Sequence, residues 1–283
     1  MIINHNMRAM NAQRNMGINN TNAGKSMEKL SSGLRINRAG DDAAGLSISE
    51  KMRAQIRGLN QASRNSQDGI SMIQTAEGAL NEAHSIIQRM RELAVQAAND
   101  TNVSVDRASI GDEINQLGAE LSRIKDNTEF NKQTLLDGKA GDGNGKVKIQ
   151  VGANENQQTE LDFSTKGIKL DDIVTALKGT NGKSDEVSTA AKATAFIATI
   201  DTNLEAVSAG RSKLGAYQNR LEHTIANLDN AAENTQASES RVRDVDMAKE
   251  MMEYSQNNIL QQAAQSMLAQ ANGSTQSVLQ LLQ

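Results

Sequence analysis

The chain has 283 residues with 12 methionines, no cysteine, no proline, no tryptophan, and a formal net charge of -4. Without cysteine there is neither a disulfide framework nor a thiolate metal site, and the chain can pass between reducing and oxidising compartments unchanged. The acidic balance argues against nucleic acid as a partner, while 2% aromatic residues and the missing proline argue for long helices packed side by side rather than a thick globular core.

The first segment, residues 2–30, carries Ile3, Met7, Met10, Ile18, Met27 and Leu30 at helical spacing, diluted by asparagine. Asparagine side chains compete for local backbone groups, and so thin an apolar stripe buries too little to offset the entropy of ordering. The expectation is a helix that orders only against a partner. From Ser31 to Ser49 the pattern breaks. Gly33 can end a helix in the left-handed conformation, with Arg35 and Arg38 then near its negative end. After Gly40, the carboxylates of Asp41 and Asp42 stand ready to cap the next helix. Taken alone, this stretch reads as an ordinary loop between two helices.

From Met52 the apolar positions step by three and four through Ile56, Leu59, Ile70, Ile73, Ala76, Leu80, Ala83, Ile87, Met90, Ala94 and Ala97, until Asn99, Asp100 and Asn102 break the run. This is a coiled-coil seam, and a helix of that length would be a rod of roughly 70 Å. A second seam at Ile110, Ile114, Leu117, Leu121 and Ile124 predicts a shorter helix folding back antiparallel.

After Phe130 the period changes to two: Val147, Ile149 and Val151 alternate with polar residues, as do Leu161 and Phe163, among glycine-rich turns. A β-hairpin is predicted. The segment GDGNGKV is not a phosphate-binding loop, since that motif needs glycine where Ala140 stands and serine or threonine where Val147 stands. Residues 164–190, rich in hydroxyl and charged side chains, read as a surface excursion. A further seam then runs through Ala193, Ile197, Ile200, Leu204, Val207, Leu214, Leu221, Ile225, Leu228 and Ala232, with Arg211 and Gln218 at polar register positions; its natural partner is the Met52–Ala97 helix. The end of the chain carries a second diluted stripe, Met252, Ile259, Ala263, Met267, Val278, Leu281 and Leu282.

Chemistry-bearing clusters are not evident. His5, His84 and His223 lie on separate helical regions, and no paired histidine spacing or cysteine nucleophile occurs, so neither catalysis, nor a cofactor, nor a metal is expected. No apolar run approaches the ~20 residues of a membrane span, and MIINHNMRAMNAQRN lacks the apolar region of a cleaved signal peptide.

The phrases MEKLSSGLRINRAGDDAAGLSISEKMR, NSQDGISMIQTAEGALNEAHSIIQRMRELAVQAAN, NRLEHTI, ESRVRDVDMAKEM and SMLAQAN closely resemble the bacterial flagellins, over roughly residues 1–137 and 190–283. The resemblance implies a mainly α protein: a long antiparallel helical coiled-coil rod built from both ends of the chain, with a small β-hairpin region in the middle. It implies a filament-core helix and spoke at 1–42, a core rod domain at 43–137 and 190–240, a β-hairpin and surface excursion at 138–189, and a second spoke and filament-core helix at 241–283. The function implied is a motility-filament subunit, exported unfolded without a cleaved signal peptide, and polymerised outside the cell. Ile3, Met7, Met10, Leu30, Met252, Ile259, Met267 and Leu281 then become candidate polymerisation contacts. Gly33, Arg35, Gly40, Asp41, Asp42, Arg241 and Asp244 become the spoke, which reverses the ordinary-loop reading. The implied partners are copies of the chain itself, an export chaperone on the C-terminal helix, hook-filament junction and cap proteins, and a vertebrate Toll-like receptor touching Gln88, Arg89, Leu93 and Glu113; neither nucleic acid nor a membrane is among them. The chain departs from many relatives at Gln283 and at Asn272 to Thr275. Competing readings are a junction or cap protein of the same organelle, which would not polymerise alone, and an unrelated coiled-coil adhesin or secreted translocator.

Overall fold

A computed structural model describes residues 6–178 and 185–280, the side chains of residues 185 and 275–280 excepted. Its helices are α1 (Met7–Ser32), α2 (Ala43–Ala97), α3 (Ser104–Asn127), α4 (Asp171–Lys178), α5 (Ala190–Arg243) and α6 (Met247–Gln280). Four short strands lie between α3 and α4: β1 (Glu129–Phe130), β2 (Gln133–Thr134), β3 (Lys146–Gln150) and β4 (Gln158–Asp162). The chain is mainly α, with two small antiparallel hairpins in its middle. It divides into two compact units, one of residues 57–232 and one of residues 1–56 with 233–283. Helices α2 and α5 contribute to both. The joints at 33–42 and 244–246 therefore lie inside the second unit rather than at its border.

In the unit of residues 57–232, α2 and α5 run antiparallel. The Ser63 hydroxyl lies 3.2 Å from Asp229 Oδ1, and Arg91 Nε donates to Asp201 Oδ1 at 2.6 Å. Burial on α2 recurs every seventh residue, at Leu59, Ser66, Ile73, Leu80, Ile87 and Ala94, and again at Ala62, Gly69, Ala76, Ala83, Met90 and Ala97. Such stepping turns one continuous face toward a partner helix. On α5 one track, Ala193, Ile200, Val207, Leu214, Leu221 and Leu228, is the expected one. The other is displaced by one residue: Phe196, Asn203 and Gly210 are buried, while Ile197 and Leu204 are only half-buried. Hydropathy favours the wrong pair because two special circumstances are silent in it. Asn203 donates from Nδ2 to the Thr199 carbonyl at 2.9 Å, so its burial leaves that donor satisfied. Gly210 sits where a Cβ would fall 2.5 Å from the Gly167 carbonyl.

Helix α3 folds back along α2 as its seam requires. Arg107 Nε donates to the Ala97 carbonyl at 3.0 Å, and Arg89 reaches Glu113 at 2.9 Å further along. Ile110, Ile114 and Leu121 are buried beneath it. Strands β3 and β4 form the predicted hairpin, pairing Val147 with Leu161 and Ile149 with Thr159. The β1–β2 hairpin is not evident from the sequence. Its loop residues Asn131 and Lys132 both have positive φ, 50° and 65°, the geometry normally announced by glycine at the second place.

The segment after β4 is not a surface excursion. Ile168, Leu170, Ile173, Val174, Leu177 and Val187 are buried in the main core, and α4 packs against α3. Polar composition hides this because the contact is made by backbone: Gly167, at φ 99°, lies so close to α5 that a Cβ would meet the Ala206 carbonyl oxygen at 1.9 Å. Only glycine can bring the chain that near.

The other unit pairs α1 with α6, antiparallel. Asn6 Nδ2 donates to the Ala271 carbonyl at 2.9 Å, and Lys29 Nζ lies 3.7 Å from Glu250 at the opposite end. For residues 7–30, α6 of the same chain supplies a packing partner.

Candidate assembly surface and joint

Helix α1 ends at Gly33, whose φ of 71° and N–H to the Lys29 carbonyl make the left-handed cap. The next residues lock onto the start of α6. Leu34 bridges antiparallel to Asp244, the Arg35 amide donates to the Arg243 carbonyl at 2.7 Å, and the Val245 amide donates to the Gly33 carbonyl at 3.0 Å. Arg35 does not serve the end of α1 as its position suggests; its guanidinium donates to the Val242 carbonyl, at the end of α5. Arg38 stays with α1, donating to Glu28 at 2.9 Å.

The two aspartates divide their work. Asp42 caps α2, its Oδ1 accepting from the Gly45 amide at 2.8 Å. Asp41 holds the loop, its Oδ2 accepting from the Asn37 and Arg38 amides, and the Arg38 amide bond holds its carboxyl below the ordinary range. Gly40 occupies the turn closed by Asp41 N–H to the Arg38 carbonyl. On the return crossing, Asp244 accepts from the Ser240 hydroxyl, Arg241 donates to Ser238, and Asp246 caps α6 through the Ala248 and Lys249 amides. Ile36, 1% exposed, is the buried apolar centre of this joint. The sequence signal for it is a lone isoleucine in a polar run, which is weak.

The α1–α6 pair is built inside out. Facing positions on α1 are Ala9, Ala12, Met16, Asn19, Ala23, Ser26 and Leu30, all buried or half-buried, and those on α6 include Glu250, Tyr254, Gln261, Ala264, Leu268 and Ala271. The seam is mostly small and polar residues, and its larger side chains, Met16, Leu30, Tyr254 and Leu268, are only half-buried. Other large apolar groups face away from it: Met7 is 67% exposed, Met252 67%, Met267 65% and Ile259 64%, with Met10 also exposed. Of the sequence-derived contact candidates only Leu30 is half-buried within the pair. Ile3 and Leu281 lie outside the described residues, as does Gln283. Beside Met267 a groove of about 480 Å³ opens between α1 and α6, lined by Arg8, Asn11, Asn15, Gln270 and Ser274 among others.

On α2, Arg89 gathers two carboxylates, donating to Glu113 at 2.9 Å and to Glu92 at 3.0 Å, with Gln88 exposed beside it at 3.0 Å from His84. Leu93 does not join that surface. It is 2% exposed and belongs to the core, so it offers no area to a partner. Among the described residues, no group of three histidine or acidic side chains is placed to hold a metal, and no helix is long and apolar enough to cross a membrane.

A chain whose two ends pair with each other and turn their apolar groups outward is a helical assembly subunit. Residues 3–141 match the family described as the bacterial flagellin N-terminal helical region, and residues 197–282 match the bacterial flagellin C-terminal helical region. The chain is 64% identical over 282 residues to a flagellin of Halalkalibacterium halodurans and 52% identical over 303 residues to a flagellin of Bacillus subtilis, each alignment covering all of both chains. A solved structure of a putative flagellar hook-associated protein from Vibrio parahaemolyticus shares the fold at 14% identity and a TM-score of 0.53, over 72% of this chain and 100% of that one. The chain belongs to the bacterial flagellin family. It is a structural subunit of the bacterial flagellar filament.

Proposed function

We propose that the chain polymerises with copies of itself through the outward face of its α1–α6 pair. The observation that carries this reading is the exposure of Met7, Met10, Met252, Ile259 and Met267 on a pair whose own seam leaves its larger side chains, Met16, Leu30, Tyr254 and Leu268, only half-buried. Burying each such side chain against a neighbour contributes roughly 1.5–3 kcal/mol, so a few of them per neighbour are a substantial drive to assembly. An unclosed contact repeated by a screw operation gives a filament. Ile3 and Leu281, which continue the spacing in sequence, are further contact candidates, and the joint from Gly33 to Asp42 with Arg241 and Asp244 fixes the path of both helices. The role is structural rather than catalytic. The assembled chain lies outside the cell. An export chaperone on α6 and the hook-filament junction and cap proteins are the partners that would use the same apolar face.

Purified chain, salted out and viewed by electron microscopy, should form filaments, and deletion of residues 264–283 should abolish them; filaments of normal length from the truncated chain would overturn the reading. A Toll-like receptor contact at Gln88, Arg89 and Glu113 is a second proposal, favoured by the exposed Arg89–Glu113 bridge. Arg89→Ala should weaken receptor signalling by monomer, and an unchanged response removes it.

A further inference from the structure

The methionines are not spread evenly: ten of 12 fall in residues 1–56 and 233–283. The two in the other unit, Met72 and Met90, are buried at 5% and 0% exposure, whereas Met7, Met10, Met251, Met252 and Met267 all stand more than half exposed. Leucine would bury similar area without a reactive atom. What a thioether adds is adaptability and susceptibility to oxidation. The chain has no cysteine to consume an oxidant first, so these sulfurs are its softest exposed nucleophiles.

We propose that the thioethers of Met7, Met10, Met251, Met252 and Met267 are an oxidation-sensitive modification site, converted to sulfoxides by hydroperoxides in the unassembled chain, and that the sulfoxide-bearing chain is excluded from the filament. A sulfur lone pair attacks the terminal peroxide oxygen and the O–O bond breaks. The sulfur–oxygen bond forms, water or an alcohol leaves, and the peroxide takes up the two electrons that sulfur loses. The product carries a polar acceptor where an apolar contact is needed, and burying an acceptor without a donor is unfavourable. Assembly covers the sulfurs, so the sensitivity belongs to the free subunit and protects the filament from incorporating damaged chains. The inference rests on the polymerisation reading above.

The test treats the purified full chain with hydrogen peroxide, maps sulfoxides by peptide mass, and then polymerises it. Met72 and Met90 should stay unoxidised while the five exposed sites gain oxygen. The protein concentration needed for polymerisation should rise roughly tenfold. A methionine sulfoxide reductase with a dithiol, which is oxidised to a disulfide as the sulfoxide oxygen leaves in water, should restore it. The variant Met7→Leu/Met10→Leu/Met251→Leu/Met252→Leu/Met267→Leu should polymerise equally with and without peroxide. If that variant does not polymerise, the partition of sulfoxide-bearing parent chains decides: enrichment in the soluble fraction supports the proposal and even partition overturns it. Untreated parent that forms no filaments overturns the polymerisation reading and this one together, whereas filaments that form regardless of sulfoxide content overturn this one alone.

Discussion

The two units run on the same seven-residue period and differ in what fills it. In residues 57–232 the period carries Leu80, Ile87, Ile200, Leu214 and Leu221, each removed from solvent; in the α1–α6 pair it carries mostly alanine, serine, asparagine, glutamine and Glu250, with Met16, Leu30, Tyr254 and Leu268 only half-buried and Met7, Met10, Met252 and Met267 turned outward. Periodicity therefore says that two helices pair, and the side chains on the seam say whether the pair is sufficient by itself. A Leu or Ile on the seam contributes about 1.5–3 kcal/mol, an Ala or Ser far less. One unit gains its stability within the chain, and the other is left to gain it from neighbours.

The sharpest way to break this comparison is one substitution on each side. Ile87→Ala should lower the stability of the 57–232 unit by about 3 kcal/mol, read as a lower midpoint in thermal unfolding by circular dichroism, because a buried methyl-rich side chain leaves a cavity. Met252→Ala should change monomer stability by less than ~0.5 kcal/mol yet impair polymerisation. Equal thermal losses from the two would erase the distinction.

The next largest effect should come from making the terminal seam resemble the other. Glu250 is 6% exposed, its Oε1 has no hydrogen-bond partner among the described residues, and its ion pair with Lys29 is long at 3.7 Å. A buried charge so thinly compensated costs more in desolvation than its pairing returns. Glu250→Leu should stabilise the α1–α6 pair by roughly 1–2 kcal/mol, read as stronger hydrogen-exchange protection across residues 7–32. Loss of protection there would show that the Lys29 pair holds the helices together.

Most of the helical architecture is legible in the sequence because burial and hydropathy coincide along α2 and along one track of α5. They part company where backbone chemistry decides. The buried segment Ile168 to Leu177 depends on Gly167 approaching α5, and Asn203 and Gly210 are buried for reasons hydropathy does not encode. In the assembly surface, the stripe of Met7, Met10, Met252 and Met267 is visible from spacing, but the direction it faces is not. A stripe reads the same whether it lies on the seam or opposite it, and only the second, polar stripe on the same helices shows which one is inside. Leu93 is the converse case: a residue assigned to a surface by resemblance that geometry places in the core.

The joint should respond less strongly, and selectively. Gly40 is the third residue of the turn closed by Asp41 N–H to the Arg38 carbonyl. Proline there is disfavoured and forces Ala39 out of the turn conformation, which would withdraw Asp41 from the Asn37 and Arg38 amides. Gly40→Pro should destabilise the joint by about 1 kcal/mol or more, leave the thermal transition of residues 57–232 in place, and reduce polymerisation. Normal polymerisation would show that the path of the chain through 33–42 tolerates change.

The smallest effect tests whether the middle segment belongs to the stable unit in solution. Asp162, at the end of β4, accepts from the Ser164 and Thr165 hydroxyls, the Ser164 amide and the Lys213 ammonium of α5, at 3.3 Å for the last. Burial by itself would raise the carboxyl, but those donors hold it down from 3.8 to about 2. A carboxyl lowered in the folded state contributes stability above its unfolded value, and the contribution is lost as pH falls from about 3.8 toward 2. Asp162→Asn should therefore cost under about 1 kcal/mol at neutral pH, the pair being partly solvated, and the gap between variant and parent should narrow across that acid range. A gap constant from pH 7 to 2 would mean that the Asp162 charge contributes nothing, and that Gly167 with the apolar residues after it is alone responsible for holding the segment on α5.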